Sequence, residues 1–503
     1  MQKIKRFLIN GLVLTLTSLL MSSIGVWFSV YISNRIGSQA MGVYQLAMSV
    51  YSFAITLATS GINLAATRLV SEEMGENKLG GVKKAVTRCV IYALVCSVTA
   101  GIMLYFFAPF ISEKWLKSAD TIISLKAMAI SLPFLSLSSV YGGYFTAVRR
   151  VYKNATVQIT EQFFKIGATI FALSLIPKNN LMYTCFAIVV AGMLSDVIAF
   201  FACWLLYRFD VNRFKKEKLY SKNLTSRMNK IAIPIALSSY MRSGLLTLKN
   251  LLVPLKLEKF GMSRASAVSM FGMLHGVVLP ILLYPSAFIS SFSSLLIPEL
   301  SEYHAREGNI VGNKRLNFVI NKTLDINLTF SILVSGVMIA FATPLSSALS
   351  KDPSSAFYLR LLAPIIPIMY VDNCIDCMLK GLNEQVSSMR YNIIDAFVSL
   401  ILVNFFLPYS GIRGYVAVIC NSEILNFALS LNRLVKITQF NFNVMESVAK
   451  PFVAIFFSTA TSLIFFSKIN GIFSLVIGIL LTSFLYIGIL FLFKGKKMIS
   501  LSN

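Results

Sequence analysis

Residues 7–32 read FLINGLVLTLTSLLMSSIGVWFSVYI, a run without a single charged side chain. A transmembrane helix rises 1.5 Å per residue and needs roughly 20 apolar residues to cross a hydrocarbon core. This run is long enough. Lys3, Lys5 and Arg6 precede it, as in a secretory signal, and Ser38-Gln39-Ala40 resembles a cleavage site. A signal's apolar core is only about 7–15 residues long, however, so the run reads as a retained first helix. The pattern then repeats. Further apolar stretches lie at 44–67, 89–111, 119–147, 156–176, 181–207, 229–252, 268–297, 318–346, 355–379, 391–409, 412–432, 450–467 and 470–493. In lipid only a helix or a closed barrel satisfies its own backbone, and runs of this length fit helices. The expected fold is an all-α integral membrane protein with about 14 transmembrane helices.

Composition agrees. The chain has 503 residues, is 56% hydrophobic and only 13% charged, and has a mean hydropathy of +0.72. Soluble domains are nearer a quarter charged. No connection is long enough for a soluble catalytic domain, so an enzyme is not expected. The net charge of +25 invites a nucleic-acid partner, but the placement of charge argues against one. With a cytoplasmic N-terminus, the tails and even-numbered connections hold 31 Lys and Arg, counting residues at span ends with the adjoining connection. The outer connections hold 11, and 4 lie within spans. This is the positive-inside asymmetry. It expects a multi-pass protein of the cytoplasmic membrane with both termini cytoplasmic. The largest cluster, Arg208 to Lys230, reads as a topology anchor touching anionic membrane lipids, with a specific partner site as its alternative.

The seven cysteines lie in or at the ends of expected helices, and Cys374-x-x-Cys377 is their only close pair. It lacks the second pair or nearby histidine of a zinc site. No metal site and no cofactor is expected. The chain lacks a phosphate-binding loop of the G-x-x-x-x-G-K-[ST] type, as well as the H-E-x-x-H and G-x-S-x-G motifs. A secondary transporter or flippase remains.

The two halves repeat. Arg35-Ile36-Gly37 opens a stretch closing on Leu69-Val70-Ser71-Glu72, and Lys259-Phe260-Gly261 opens one closing on Leu296-Ile297-Pro298-Glu299. Gln158-x-x-Glu161 lies 234 residues before Asn392-x-x-Asp395. These offsets expect an N-terminal lobe of six helices at 1–218, a C-terminal lobe of six at 219–436, and an additional pair at 437–503. Six is even, so the repeat is parallel, and a site between the lobes is the default for such a carrier.

Ionisable groups inside a membrane are costly and normally face a bundle interior or a water-filled cavity. Arg242 sits near the middle of span seven, among Ser238, Ser239 and Ser243. A guanidinium stays charged and matches phosphate oxygens with a planar fork. Lys249 follows two turns later on the same face, and Arg35 adds charge at the end of span one. These three are the expected substrate-binding cations. A buried ion pair is the alternative for Arg242, and interfacial snorkelling for Arg35. Glu161 and Lys165, four apart, read as a structural or gating pair. Asp372, Asp376, Asn392 and Asp395 form a candidate cation site, because carboxylate and amide oxygens suit hard cations. Pairing of Asp376 with Lys380 is the alternative there. The lone His275 reads as a packing residue rather than a proton relay.

Taken together these residues resemble a known family. They are Arg35-Ile36-Gly37, Gly42-Val43-Tyr44-Gln45-Leu46, Ser60-Gly61-Ile62-Asn63-Leu64-Ala65, Leu69-Val70-Ser71-Glu72, Gly142-Gly143-Tyr144-Phe145, Glu161-Gln162, Ile233-Pro234, Met241-Arg242 and Leu296-Ile297-Pro298-Glu299. The chain resembles the polysaccharide-transport branch of the multidrug/oligosaccharidyl-lipid/polysaccharide exporter superfamily. Within it, the likeness is to the stage V sporulation protein B-like and lipid II flippase-like group of Gram-positive bacteria. The resemblance implies two six-helix lobes, alternating access, and translocation of an undecaprenyl-pyrophosphate-linked sugar. It also implies a lipid-tail groove on helices thirteen and fourteen. Lipid II flippases usually carry arginines within the first helix, whereas Met21–Val30 has none. Either the pyrophosphate site leans on Arg242, Lys249 and Arg35, or the substrate is not lipid II.

The sequence therefore reads as a flippase for a lipid-linked cell-wall precursor, with spore cortex peptidoglycan as the expected product. Its expected partners are the lipid-linked oligosaccharide and membrane lipids, with cell-wall synthases as candidates. A cation-coupled drug exporter and a non-transporting scaffold for cell-wall synthesis are the alternatives.

Overall fold

The computed structural model describes residues 2–76, 78–176, 181–212, 223–290, 293, 300, 314–440, 445–466 and 472–500. Most of the expected anchor between spans six and seven, and the motif Leu296–Glu299, lie outside these residues. All regular structure among them is helical: α1 Gln2–Ile36, α2 Ser38–Thr59, α3 Ile62–Gly75, α4 Leu79–Phe110, α5 Thr121–Ala147, α6 Val151–Leu175, α7 Leu181–Val211 and α8 Leu224–Lys259. Next come α9 Arg264–Met273, a π turn Leu274–Val278 and α10 Leu279–Leu283. The remainder are α11 Lys314–Ala340, α12 Ala342–Leu349, α13 Ser354–Leu362, α14 Ile366–Gly381, α15 Gln385–Thr438, α16 Lys450–Phe466 and α17 Ile472–Ser500.

Among the described residues, 11 helical segments are long and apolar enough to cross a membrane, against the 14 expected spans. One of them, α15, has 54 residues. As one straight rod it would run roughly 80 Å at 1.5 Å per residue, more than twice the roughly 30 Å hydrocarbon core. It is a hairpin instead. Gly411 has φ 55° and ψ −135°, outside any helical conformation. Across this reversal the Arg433 guanidinium meets Glu384 at 2.5 Å, and Ser422 donates to Asp395 at 2.5 Å. The Arg433 hydrogen bond holds the Glu384 carboxyl below its ordinary range.

The repeated basic-x-Gly motif leads into the next helix, α2 at Ser38 and α9 at Arg264, and at the same time closes the one before it. Gly37, at φ 84°, stops α1 by hydrogen-bonding its N–H to the Ser33 carbonyl at 2.9 Å. Gly261, at φ 106°, follows α8 in the same way, with Met262 N–H on the Leu257 carbonyl at 3.2 Å. Left-handed glycines close helices because no Cβ is in the way.

The chain forms two compact units. The first comprises Met1–Met21, Gln39–Leu255 and Ser263–Gly272; the second comprises Ser22–Ser38, Lys256–Met262 and Met273–Asn503. In the first unit, Ile62, Ala65, Ala66, Leu69 and Val70 recur at helical spacing and are fully buried against α4, α5 and α8. Gly143 lets α5 touch α3, where a Cβ would stand 2.5 Å from the Asn63 carbonyl oxygen. Small residues allow this close approach where burial of apolar surface gives little drive in lipid. The outward side chains of α4, among them Val95, Ile102 and Phe106, are exposed and apolar, as a lipid-facing surface must be.

Buried charge in this unit is paired. Asp210 is 2% exposed and binds Arg150, Lys153 at 3.0 Å, and the Tyr144 hydroxyl at 3.0 Å. Arg227 joins Glu72 and Glu73, linking the end of α3 to the start of α8. Asp210→Asn keeps the shape but removes the charge, so about 1.5–3 kcal/mol of stability should be lost. Thermal unfolding of the detergent-purified protein measures this, and an unchanged midpoint would show the cluster to be energetically idle.

The second unit has its core between α11, α14 and the second arm of α15: Leu316, Ile320 and Leu324 meet Val371, Cys374, Met378 and Leu434. Cys374 packs there as a small apolar residue, and all seven cysteines are free thiols.

Candidate functional site

In α8, the side chains at 240, 243, 244, 247 and 250 recur at three- and four-residue steps, so they share one face. That face packs on α2. Tyr240 meets Ser60, Thr56 donates to Ser243 at 3.1 Å, Gly244 faces Phe53, and Thr247 and Asn250 reach Ser49. Arg242 falls on the opposite side of the helix, and Lys249, two turns on, shares that side. Arg242 is exposed and forms no ion pair with any described carboxylate. Lys249 is half-buried and has an interaction partner of its own. Arg35 ends α1 in the second unit, where its neighbour Asn34 is tied to the Leu349 carbonyl at 2.6 Å and the Lys351 N–H at 3.0 Å. It too has a partner. Thus Arg242 and Lys249 share a helix face in one unit, and Arg35 belongs to the other.

Glu161 and Lys165 project from α6, and no ion-pair contact joins them directly. Lys165 acts electrostatically on Glu161, on Asp196 of α7 and on Tyr44 of α2. Tyr51 bonds Ser131 and reaches Asp196 at 3.4 Å. The arrangement is a shared cluster of two carboxylates, one ammonium and two phenols rather than an isolated pair. Asp196 is absent from the sequence reading, although a carboxylate inside the apolar run 181–207 is itself the signal that finds it.

In the second unit the expected cation residues divide. Asp376 accepts from Ser388 at 2.7 Å and from the Asn392 amide at 3.5 Å, and it makes no ion pair with Lys380. Asp395 accepts from Ser422, which also receives a hydrogen bond from Ser399 at 2.9 Å. Asp372 lies one turn before Asp376 and accepts from the Asn426 amide at 2.7 Å. Asn426, Ser422 and Ser430, all on the second arm of α15, have no place in the sequence reading. His275 meets the Tyr415 hydroxyl at 2.8 Å, with the two rings tilted against each other.

A cavity of about 400 Å³ opens between α11, residues 446–451 and α17. Lys322, Asp325, Glu446 and Lys450 share its lining with Leu333, Tyr486 and Leu490. Tyr486 fixes α17 to α11 through the Thr329 carbonyl at 2.8 Å. The last two helices therefore help to form a groove lined by both charged and apolar side chains.

An all-α bundle of membrane-crossing helices, with charge retained inside it, defines a polytopic membrane protein of the transporter type. The chain belongs to the polysaccharide biosynthesis protein family, whose model matches residues 7–304, within the multidrug/oligosaccharidyl-lipid/polysaccharide exporter superfamily. A MatE model matches residues 309–406. Stage V sporulation protein B of Bacillus subtilis is 23% identical over 453 residues, covering 88% of this chain and 86% of that relative. Among solved structures, the lipid II flippase MurJ in an inward closed conformation superposes with a TM-score of 0.71 at 15% identity. That likeness covers 98% of this chain and 100% of MurJ. The MATE multidrug transporter DinF-BH, solved in complex with R6G, gives a TM-score of 0.63 at 14% identity, covering 87% of this chain and 97% of that one.

Proposed function

We propose that the chain is a flippase for an undecaprenyl-pyrophosphate-linked cell-wall precursor. The precursor is lipid II-like and serves spore cortex peptidoglycan, and it crosses the cytoplasmic membrane by alternating access of the lobes 1–218 and 219–436. The observation that carries this reading is Arg242: a guanidinium at the midpoint of α8, exposed and without a carboxylate partner among the described residues. Such a group is strongly disfavoured against acyl chains and calls for a polar cavity and an anionic ligand. A pyrophosphate accepts its planar fork bidentately. The relative named for stage V sporulation supports the sporulation setting. The groove on α11 and α17, at the pair 437–503, suits the polyprenyl tail, and cell-wall synthases are the partners that would consume the product.

Reconstitution in liposomes tests the proposal. The purified chain should move labelled lipid II from one leaflet to the other, and failure with every pyrophosphate-linked sugar tried would refute it. The second reading, a cation-coupled drug exporter, draws on the acidic residues of α14 and α15. It expects efflux of a lipophilic cation instead.

Orientation is testable separately. With both termini cytoplasmic, single cysteines at Lys218 and Lys351 should label from the inside and the outside of the cell, respectively. The opposite result would reverse the topology.

A further inference from the structure

One face of α1, in the part of that helix that belongs to the second unit, is built unlike the rest. Ser23, Trp27, Tyr31 and Arg35 follow one another at four-residue steps and so form a single stripe. The helix packs through its other sides, where Phe28, Val30 and Ile32 are buried and Ser29 donates to the Gly276 carbonyl at 2.6 Å. On the stripe, the Trp27 and Tyr31 rings stack nearly parallel, with centroids 5.6 Å apart and planes 16° from each other. Trp27 is nevertheless 54% exposed, so much of its indole stays uncovered. One turn before it, the Ser23 and Tyr284 hydroxyls bond each other at 3.0 Å. Neither the indole N–H nor the Tyr31 hydroxyl has a hydrogen-bond partner among the described residues. Acyl chains satisfy neither group. Nor is the indole placed for the membrane interface. It lies roughly 12 Å along the helix from Arg35, which ends α1, whereas interfacial aromatic rings sit at headgroup level.

An open aromatic face flanked by hydroxyls and a cation fits one class of ligand. A pyranose has a flat face of C–H bonds and a rim of hydroxyls. The C–H face lies against the electron-rich face of an indole. The rim exchanges hydrogen bonds with N–H and O–H groups such as those of Trp27, Tyr31 and Tyr284. A lipophilic cation also seeks an indole face, but Arg35 on the same stripe repels it, since a guanidinium keeps its charge. We infer that this half of α1 is a sugar platform: Trp27, backed by Tyr31, stacks on a saccharide ring of the pyrophosphate-linked headgroup and selects the glycosylated lipid over the bare one. The inference rests on the flippase reading and deepens it by naming the residue that senses the saccharide.

The test measures binding to the full chain in detergent with two probes, lipid II and undecaprenyl pyrophosphate, which lacks the sugars. Wild type should bind lipid II about tenfold more tightly, the size of one good stacking contact. Trp27→Leu keeps an apolar side chain without a ring, and should erase that preference by weakening lipid II alone. Trp27→Phe keeps a ring without the N–H and should retain most of it. Both should unfold near the wild-type midpoint, because the position is exposed. A second measurement leaves Trp27 in place. Trp115→Phe with Trp204→Phe makes it the sole indole of the chain, and lipid II, but not undecaprenyl pyrophosphate, should then change its fluorescence. Equal lipid II affinity in wild type and Trp27→Leu, an equal loss for both lipids, or unchanged Trp27 emission would each overturn the platform. Failure of wild type to bind either lipid would sink the flippase reading itself, and the platform with it.

Discussion

Arg242→Ala should abolish flipping of a pyrophosphate-linked lipid while leaving the protein folded. The two halves of this expectation have different origins. Arg242 has no described carboxylate partner and is exposed, so its removal breaks no ion pair among the described residues. Substitutions at such positions usually change stability by less than about 0.5 kcal/mol. The substrate loses far more. Truncating one member of a desolvated, hydrogen-bonded charge pair costs about 2–5 kcal/mol, which is roughly 30-fold to several thousand-fold in affinity. Arg242→Lys should recover part of the loss, since an ammonium keeps the charge but not the planar fork. Binding and flipping of labelled lipid II, measured beside the unfolding midpoint, read both halves. Normal flipping by Arg242→Ala removes the residue from the substrate site. Unfolding of that variant would mean that the guanidinium is structural.

Arg242 was legible in the sequence because a charge in the middle of an apolar run is conspicuous by its energetic penalty alone. Asp196 obeys the same rule, since a carboxylate in the apolar run 181–207 carries the same penalty. Asn426 and Ser430 are another matter. Uncharged polar residues are tolerated throughout membrane helices because they bond their own backbone, as Thr56 does with the Ser52 carbonyl. Which of them turns toward a carboxylate depends on which helix lies opposite, and that is decided by tertiary pairing. The helices themselves were read from the length of their apolar runs. Their joints were read less well. Arg35-Ile36-Gly37 and Lys259-Phe260-Gly261 were recognised as a repeat, but the feature they repeat is a left-handed helix stop, a backbone property that a residue pattern only implies.

Gly411→Val should be the most disruptive single change in the second unit. At φ 55° and ψ −135° the backbone of Gly411 occupies a region that side-chain-bearing residues rarely adopt. The reversal there turns α15 into two antiparallel arms, and the pairings across them depend on it, Glu384 with Arg433 and Asp395 with Ser422, as does the placement of Asn426 beside Asp372 of α14. There is also no room. A Cβ at 411 would stand 2.6 Å from the Phe260 ring. Backbone strain of about 1–3 kcal/mol and overpacking of about 1–3 kcal/mol together amount to roughly 2–6 kcal/mol. That is a large part of the 5–15 kcal/mol by which a typical domain is stable. The two contributions can be separated. Phe260→Ala in the same chain opens the space but leaves the backbone strain, so the double variant should regain only part of the lost stability. Gly411→Ala should fall between wild type and Gly411→Val. Yield of monodisperse protein and the unfolding midpoint in detergent are the measurements. A wild-type midpoint for Gly411→Val would mean that the chain does not reverse at this residue, and full rescue by Phe260→Ala would mean that the ring contact alone made glycine necessary.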